Sequence, residues 1–144
     1  MGAAPVAVSF NEILEAFEFV NAGAFSEHQA FLCKQSGHIY WHSEYGDDFE
    51  EIPDDIDDGD KYIAIPDKRE LDLGRALVFD FAEQHLSDEL EEIRRIFSKK
   101  GAYARFKYLL ERKGALKQWY DFEASAQQKA LREWCKRNSI EVSD

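Results

Sequence analysis

The sequence has little of what marks secreted, membrane-spanning or multidomain proteins. Its 144 residues include two cysteines and three prolines, too few for a disulfide framework or a proline-rich linker. No run of about eighteen apolar residues is present, and the start of the chain lacks the basic and apolar regions of a signal peptide. We therefore expect a single cytoplasmic domain, with Cys33 and Cys135 as ordinary buried thiols in a reducing compartment.

Sequence motifs of the common enzyme classes are missing too. The chain contains no GxSxG, no glycine-rich phosphate-binding loop, no GxGxxG and no HExxH, and neither cysteine has an evident histidine partner. These absences favour a non-enzymatic binding or regulatory protein without a cofactor or a metal. A small acid–base enzyme of hydrolase type is the alternative, because carboxylates and histidines can converge in a folded chain without any sequence motif.

Asp80 and His85 are the weak catalytic candidates of that alternative. Asp80 lies in the apolar run LVFDFA, where burial would raise its pKa towards neutrality. It also shares a helical face with Asp72 and Glu83. If that face is exposed to solvent, the three acidic residues need no catalytic role. His85 lies on the helical stripe of Val78, where a histidine is more often a hydrogen-bonded core residue than a catalyst.

Three short strands are predicted in the N-terminal half. Two runs rich in β-forming residues flank a turn with glycine, which predicts a hairpin, and a third run ends at a proline. The predicted strands are Ala30–Lys34, His38–Ser43 and Lys61–Ile65. Alternation along the second strand places Ile39 and Trp41 on one face and His38, Tyr40 and His42 on the other. The two histidines would then lie about 13 Å apart, too far to share one zinc ion.

Five helices are predicted, one before the sheet and four after it. The first begins at Phe10, behind a capping box, and ends before Gly23. The second begins after Asp67 and runs to about Leu86; its apolar residues point in nearly every direction, so we expect it to be the central element. The other three are predicted at 87–100, 102–113 and from 115 onwards, with a break near Ser125 left open. The fold class is α+β, mainly helical: an N-terminal helix, a small three-stranded antiparallel sheet and a C-terminal four-helix cluster.

Charge divides the chain sharply. The net charge is −11, and residues 44–60, which we call the acidic loop, hold ten carboxylates and no base. Residues 94–117, the basic segment, hold nine Lys or Arg against the one acid Glu111. We predict one domain, 1–144, in which residues 9–65 form the helix, the sheet and the acidic loop, and residues 66–140 form the helical part.

The acidic loop does not match a calcium-binding EF-hand. With Gly59 at position six of that motif, Ile56 falls on position three and Ile65 on position twelve, where oxygen ligands are required. A solvated loop of mutually repelling carboxylates is the expected state. A looser site for Mg²⁺ or Ca²⁺ is left open, because specific binding needs ligands that are preorganised around the ion.

Several blocks of the sequence resemble a bacterial protein family. They are SGHIYW and YIAIP, followed by KRELDLGRALVFDFAEQHL, GAYARFKYLLERKG, ALKQWYDFE and ALREWC. With these blocks in this order, residues 9–140 resemble the family catalogued as uncharacterised protein family 0158. The resemblance implies a small cytoplasmic bacterial protein with an acidic segment ahead of its helices. It implies no reaction, cofactor or site residue.

The basic segment is the main candidate for a binding site. Its cations would contact phosphates, and Tyr103, Phe106 and Tyr108 would stack on unpaired bases. The predicted binding residues are Arg94, Arg95, Lys99, Lys100, Arg105, Lys107, Arg112 and Lys113. The partner would be single-stranded nucleic acid or an acidic protein, and the protein would be a monomer or a homodimer. The alternative is structural, because acids open the third helix and bases close it, as the helix dipole favours.

A further hypothesis connects the two charged segments. The acidic loop would fold over the basic helices in the free protein and be displaced by a polyanionic or acidic partner. Exposed ion pairs contribute only about 0–1 kcal/mol each, so such a screen would be weak and sensitive to salt.

Overall fold

The fold is mainly helical α+β, as predicted. The computed structural model describes residues 7–22, 27–44 and 51–144. Its α-helices are α1 (Phe10–Val20), α2 (Arg75–His85), α3 (Leu90–Ile96), α4 (Ala102–Arg112) and α5 (Leu116–Arg137). Its strands are β1 (Val8–Ser9), β2 (His28–Cys33), β3 (Ile39–Ser43), β4 (Tyr62–Ala64) and β5 (Val142–Ser143).

The predicted three-stranded sheet is confirmed. β2 is the central strand and pairs antiparallel with β3 on one side and with β4 on the other. The hairpin turn between β2 and β3 uses Gly37 at a φ of 77°, a conformation that glycine adopts without steric cost. A second pairing was not predicted: β1 lies parallel to β5, with Val8 opposite Val142. Two residues per strand are too few to show an alternation that a sequence pattern could reveal.

The chain divides into two compact units. The first unit consists of Met1–Leu71 and Ala130–Asp144, and the second of Asp72–Lys129. Helix α5 therefore begins in the second unit and ends in the first. Within the predicted single domain, the helical part was taken to begin at residue 66, and the sequence did not indicate that residues 130–144 belong to the first unit. The single domain remains a prediction.

The core of the first unit is built on one face of α1. This helix begins at Phe10, as predicted, although the side chain of Ser9 makes no capping hydrogen bond. It packs against β2 and β3. Its buried residues are Phe10, Ile13, Ala16 and Phe17. From the C-terminal segment, the guanidinium carbon of Arg132 lies 4.0 Å from the ring centroid of Phe10, and Leu131, Trp134 and Cys135 are buried.

The core of the second unit is a network of aromatic rings. The ring of Phe106 in α4 lies 5.7 Å from that of Phe97 and 5.2 Å from that of Trp119. The ring of Phe81 in α2 lies 5.3 Å from Trp119 and 5.2 Å from Phe122, which are both in α5. Edge-to-face contacts of this kind hold the four C-terminal helices as one cluster.

The predicted start of the second helix is wrong. The Asp67 carboxylate does accept a hydrogen bond from the backbone N–H of Glu70 at 3.0 Å, but this bond closes a turn, and α2 begins at Arg75. Between them, Asp72 has a φ of 55° and Gly74 a ψ of −120°, and neither conformation continues a helix.

The other helices also differ from the prediction in detail. α2 is not covered on most sides: it buries Leu77, Val78, Phe81 and Ala82, whereas its polar residues are exposed. A short 3₁₀ turn at Ser87–Glu89 precedes α3, which ends at Ile96 rather than near residue 100. α5 continues through Ser125 without a break.

Candidate binding surface

Helix α4 exposes a stripe in which a tyrosine lies between two arginines. Arg105, Tyr108 and Arg112 follow one another at spacings of three and four residues, so they share one side of the helix. Tyr108 is 63% exposed, and the guanidinium carbon of Arg112 lies 5.4 Å from its ring centroid. The opposite side of α4 is buried and consists of Phe106, Leu109 and Leu110. Because the apolar side is fixed in the core, the stripe is held facing solvent.

A second aromatic and cationic group lies between α4 and α5. The Lys107 Nζ atom is 5.8 Å from the ring centroid of Tyr120 in α5. Tyr103 lies one turn before Lys107 on α4, and its ring is 5.1 Å from that of Phe97. Tyr103 and Tyr120 are 49% and 44% exposed, and together with Tyr108 they are the large hydrophobic side chains that are exposed in the described part of the chain.

The environment of Tyr103 keeps its hydroxyl protonated. Partial burial raises the pKa of Tyr103, the nearby Glu123 carboxylate raises it further, and Arg75 offsets part of the rise. The phenol is therefore a neutral hydrogen-bond donor at physiological pH. No negative charge forms there that would repel an anionic partner.

Three of the eight predicted binding residues form ion pairs within the second unit. Their partners lie in α3 or in the 3₁₀ turn before it. The pairs are Arg94–Glu91 at 2.7 Å, Arg112–Glu92 at 3.0 Å and Lys113–Glu89 at 3.0 Å. Within residues 7–22, 27–44 and 51–144, no carboxylate forms an ion pair with Arg95, Lys99, Lys100, Arg105 or Lys107. These five cations are exposed.

The helix dipole accounts for only part of the basic segment. In α3, acids occupy the first turn and Arg94 and Arg95 the last, as the dipole favours. In α4, bases lie at both ends: no acid occupies the first turn, Arg105 lies within it, Lys99 and Lys100 come just before it, and Arg112 lies in the last turn. Cations near a helix N-terminus are unfavourable by a few tenths of a kcal/mol or more. The structural alternative therefore leaves Lys99, Lys100 and Arg105 unexplained.

The aromatic residues of the surface were predicted only in part. Tyr103 and Tyr108 are exposed, as a stacking role requires, but Phe106 is completely buried and belongs to the core. Sequence reasoning missed Tyr120. The exposure of Tyr120 could have been predicted from the helical spacing of the apolar residues Leu116, Trp119 and Phe122. This spacing places those three residues on the inner side of α5 and Tyr120 on the outer side.

The structure does not bring the weak catalytic candidates together. Asp80 is exposed beside Glu83, so the burial on which the hypothesis rested is absent. His85 is exposed too; its Nδ1 atom lies 3.0 Å from Nε2 of Gln118, and its ring packs 5.0 Å from that of Phe81. Five residues apart on α2, the two side chains point about 140° away from each other. Their geometry gives no support to the acid–base alternative.

The structure also limits the metal hypotheses. In the described part of the acidic loop, Asp55 pairs with Lys61 at 3.0 Å, and the Asp58 carboxylate accepts a hydrogen bond from the Asp60 backbone. No group of three or more histidine, cysteine or carboxylate side chains that could hold a metal ion occurs among the described residues. Residues 45–50 of the acidic loop lie outside the described residues, so the screening hypothesis is not tested there.

The comparisons with known proteins identify no family. No protein-family model, curated protein or solved structure matches the chain. The resemblance to uncharacterised protein family 0158 thus remains a prediction. As for membranes, none of the helices in the described ranges has the length and apolarity to span a bilayer.

Proposed function

We propose that this chain is a non-enzymatic binding protein of the bacterial cytoplasm, and that it holds single-stranded nucleic acid on the exposed side of α4. The observation that carries the proposal is the position of the exposed tyrosines. All three lie in α4 or α5, and two of them contact cations of the basic segment, Tyr108 with Arg112 and Tyr120 with Lys107. The bacterial and cytoplasmic setting follows from the family resemblance.

The chemistry of this surface fits a strand whose bases are unpaired. Lys and Arg gain affinity for phosphates through counterion release, and tyrosine rings gain about 1–3 kcal/mol per stacked base without reading the sequence. On α4, Arg105 and Arg112 are separated by about 10 Å along the helix axis, with the Tyr108 ring between them. A phosphate on one side of a stacked base would meet Arg105, which has no carboxylate partner among the described residues. A phosphate on the other side would take the place of Glu92 beside Arg112.

The uneven distribution of charge makes this binding compatible with an acidic protein. The second unit has eleven Lys or Arg and ten Asp or Glu, a net charge of +1, whereas the first has seven against nineteen, a net charge of −12. We propose that the acidic loop of the first unit weakens binding through long-range repulsion or by screening the basic helices. A partner would then bind most tightly when the charge of the loop is neutralised.

Fluorescence anisotropy with a labelled mixed-sequence RNA of 20 nucleotides tests the proposal. We expect saturable binding whose affinity falls with salt. Replacing both stripe arginines, Arg105→Gln with Arg112→Gln, should reduce the slope of log affinity against log salt by about 0.7 to 1.4. Each phosphate contact on a single strand contributes about 0.7, and Arg112 must first exchange Glu92 for a phosphate. Tyr108→Leu should weaken binding about tenfold without changing the slope, because it removes a stacking face and no charge.

Matched variants outside the stripe provide the control. Lys117 and Lys129 are exposed bases of the same unit, so Lys117→Gln with Lys129→Gln removes the same charge. This control should change the salt slope by much less than the stripe variant. Equal losses from both pairs of substitutions, together with full binding by Tyr108→Leu, would show non-specific attraction and end the proposal. Duplex RNA of the same sequence should bind more weakly, because its bases are already stacked.

The role of the acidic loop has its own test. Neutralising Asp47, Asp48, Glu50 and Glu51 to amides should tighten RNA binding at 50 mM salt and have little effect at 300 mM. Neutralising three carboxylates on the exposed face of α1, at Glu12, Glu15 and Glu18, controls for net charge and should have a smaller effect per charge removed. If both sets tighten binding in proportion to the charge removed, the loop acts only through its charge and does not screen the helices.

A further inference from the structure

The outer face of the three-stranded sheet carries an aromatic surface that belongs to the first unit. Phe31 on β2 lies opposite Tyr40 on β3, and Cys33 on β2 lies opposite Tyr62 on β4. Residues that lie directly opposite in a sheet share a face. These four side chains therefore lie on the side of the sheet away from the buried residues of β2, and each is partly exposed to solvent.

Two tyrosine rings on this face meet across the central strand. The ring centroids of Tyr40 and Tyr62 are 6.2 Å apart, and the ring planes form an angle of 73°. His38 extends the row, with its ring 4.5 Å from that of Tyr40. A cation is attracted to the face of an aromatic ring within about 6 Å, and several rings at steep angles form the cages that bind alkylammonium groups. The two tyrosines thus provide the apolar and π surfaces for such a group.

A carboxylate lies beside the same face. Asp55 is close enough to Tyr62 to raise the pKa of its hydroxyl. The turn that carries Asp55 is fixed in place, because the backbone N–H groups of Lys61 and Tyr62 both donate to the carbonyl of Asp58 at 3.0 Å. Partial burial, and then the charge of Asp55, raise the pKa of Tyr62, so its ring stays neutral and its hydroxyl stays protonated.

The negative charge of the segment around Asp55 exceeds what nearby lysines neutralise. Residues 51–60 hold six carboxylates. Lys61 pairs with Asp55, and the Lys34 ammonium group donates to the carbonyl of Gly59 at 2.8 Å. Four of the remaining carboxylates, those of Glu51, Asp54, Asp57 and Asp60, are exposed. The segment that carries Asp55 beside Tyr62 therefore has an excess of negative charge that attracts cations.

We infer that the outer face of this sheet is a docking site for a lysine- and arginine-rich peptide segment of a partner protein. The peptide places a basic side chain on the rings of Tyr40 and Tyr62, while its neighbouring cations pair with the carboxylates of residues 51–60. Charge complementarity selects this occupant. A nucleic acid strand would find aromatic rings here too, but the carboxylates of residues 51–60 and the net charge of −12 on the unit would repel its phosphates.

The test uses the full-length protein and fluorescence anisotropy with a labelled dodecapeptide of alternating lysine and alanine. We expect saturable binding at physiological salt, and none for the same peptide with glutamate in place of lysine. Tyr40→Leu should weaken binding about fivefold, because it removes a π face but keeps an apolar side chain. Tyr40→Phe should retain most of the affinity, because the ring remains. Asp54→Asn with Asp57→Asn should weaken binding and reduce its salt dependence.

Two controls test whether the peptide binds at this site: one removes the same charge elsewhere in the unit, and the other asks whether a second copy of the chain binds there instead. Glu15→Gln with Glu18→Gln removes two exposed carboxylates from α1 in the same unit and should leave binding nearly unchanged. If this pair weakens binding as much as the turn pair, and Tyr40→Leu binds as the wild type does, the peptide is held by net charge alone and the docking site does not exist. If sedimentation shows a dimer that Tyr40→Leu dissociates, the occupant is a second copy and the inference of a peptide partner is wrong. Circular dichroism confirms that each variant is folded.

Discussion

The two units of this protein differ most in their charge. The first unit has a net charge of −12 and contains the acidic loop, whereas the second has a net charge of +1 and contains the basic segment. Each also has exposed or partly exposed aromatic residues beside its charges: tyrosines with arginine and lysine on α4 and α5, and tyrosines with carboxylates on the sheet. The net charge of the whole chain therefore does not show that its acidic and basic residues are concentrated in different units.

The units also differ in how their interiors are built. The second unit is centred on rings that contact one another in sequence from α2 to α5. The first combines an aliphatic and aromatic face of α1 with a small sheet and with β5 from the C-terminal end of the chain. Its contacts are therefore more distant in sequence. We expect the stability of the second unit to depend strongly on single aromatic residues. The stability of the first unit should depend on several weaker contacts.

The largest expected effect comes from breaking the aromatic core of the second unit. Phe106→Ala should lower the free energy of unfolding by about 3–5 kcal/mol, because it leaves a cavity and removes two ring contacts at a site that is 0% exposed. Tyr108→Ala, two residues further on the exposed side, should cost less than about 1 kcal/mol. Urea unfolding followed by circular dichroism measures both. Similar losses for the two variants would contradict the assignment of Phe106 to the core.

The next largest expected effect is a difference in reactivity between the two cysteine thiols, which both lie in the first unit. Burial raises the pKa of the Cys135 thiol from 9.0 to about 11, so its thiolate fraction near neutral pH is about 100-fold below that of a free cysteine. Partial burial also acts to raise the pKa of Cys33, but hydrogen bonds from the Ser36 side chain and from the backbone of Ser36 and Gln35 outweigh it and lower the pKa.

Alkylation with iodoacetamide at pH 7.5 should therefore modify Cys33 first. The single variants Cys33→Ser and Cys135→Ser assign the two rates by mass spectrometry, and Ser36→Ala should slow the reaction of Cys33. Labelling of Cys135 should accelerate as the pH rises towards about 11. Since the second unit contains no cysteine, the slow rate reports only on opening of the first. Equal rates for both thiols at neutral pH would show that Cys135 is not held in a core.

The sequence predicted the parts of the fold that local chemistry determines. The hairpin was predicted because its turn glycine and its alternating residues lie close together in the chain. The exposure of Tyr108 follows from the apolar spacing of α4 in the same way. The start of α2 was predicted wrongly, because the Asp67–Glu70 hydrogen bond occurs both in turns and at helix starts. The pairing of β1 with β5 joins residues more than a hundred positions apart, and no local pattern encodes such a contact.

For the candidate surface, the positions of the charges could be predicted from the sequence, but their ion-pair partners could not. It predicted eight basic residues, and only the folded positions show that Arg94, Arg112 and Lys113 already have carboxylate partners. Residue type and spacing cannot decide this, because Glu92 and Arg112 lie 20 residues apart in the chain. Which five of the eight cations lack a carboxylate partner is therefore decided by the tertiary structure.

The C-terminal ends of α4 and α5 have the same hydrogen-bond pattern, and substitutions there should have a smaller effect on stability. α4 and α5 both end in a Schellman motif: Gly114 N–H donates to the Glu111 carbonyl and Ala115 N–H to that of Leu110, and the residues 138–140 after α5 repeat this pattern. The left-handed position is Gly114 at a φ of 66° in the second unit, but Ser139 at a φ of 57° in the first. A serine there is strained, whereas glycine is not.

Exchanging these residues should change stability in opposite directions. Ser139→Gly should raise the free energy of unfolding by roughly 0.5–1 kcal/mol, and Gly114→Ser should lower it by about 1 kcal/mol. A Cβ at position 114 would meet nothing within 4 Å, so its cost comes from the backbone alone. Thermal unfolding of the two single variants and of the double variant measures the exchange. Destabilisation by Ser139→Gly would mean that the serine side chain stabilises this turn.

The smallest expected effects come from two ion pairs that are alike in distance and exposure but differ in their surroundings. Arg112–Glu92 in the second unit and Lys61–Asp55 in the first both span 3.0 Å, and their side chains are 41–47% exposed. Exposed pairs of this kind contribute about 1 kcal/mol or less. Lys61, however, lies among the carboxylates of the acidic loop and lowers their mutual repulsion, whereas Arg112 lies among other cations.

Removing the cation should therefore matter more in the first unit. Lys61→Gln should lower the urea midpoint at 50 mM salt by more than Arg112→Gln does, and 1 M salt should remove the difference, because the screening length then falls to about 3 Å. Lys61 also holds the pKa of Asp55 below its usual value. The contribution of this pair is therefore complete above the ordinary carboxylate pKa of 3.8 and is lost as the pH falls through the lowered value. Equal midpoints for the two variants at low salt would show that the charge of each unit does not act on its own ion pairs.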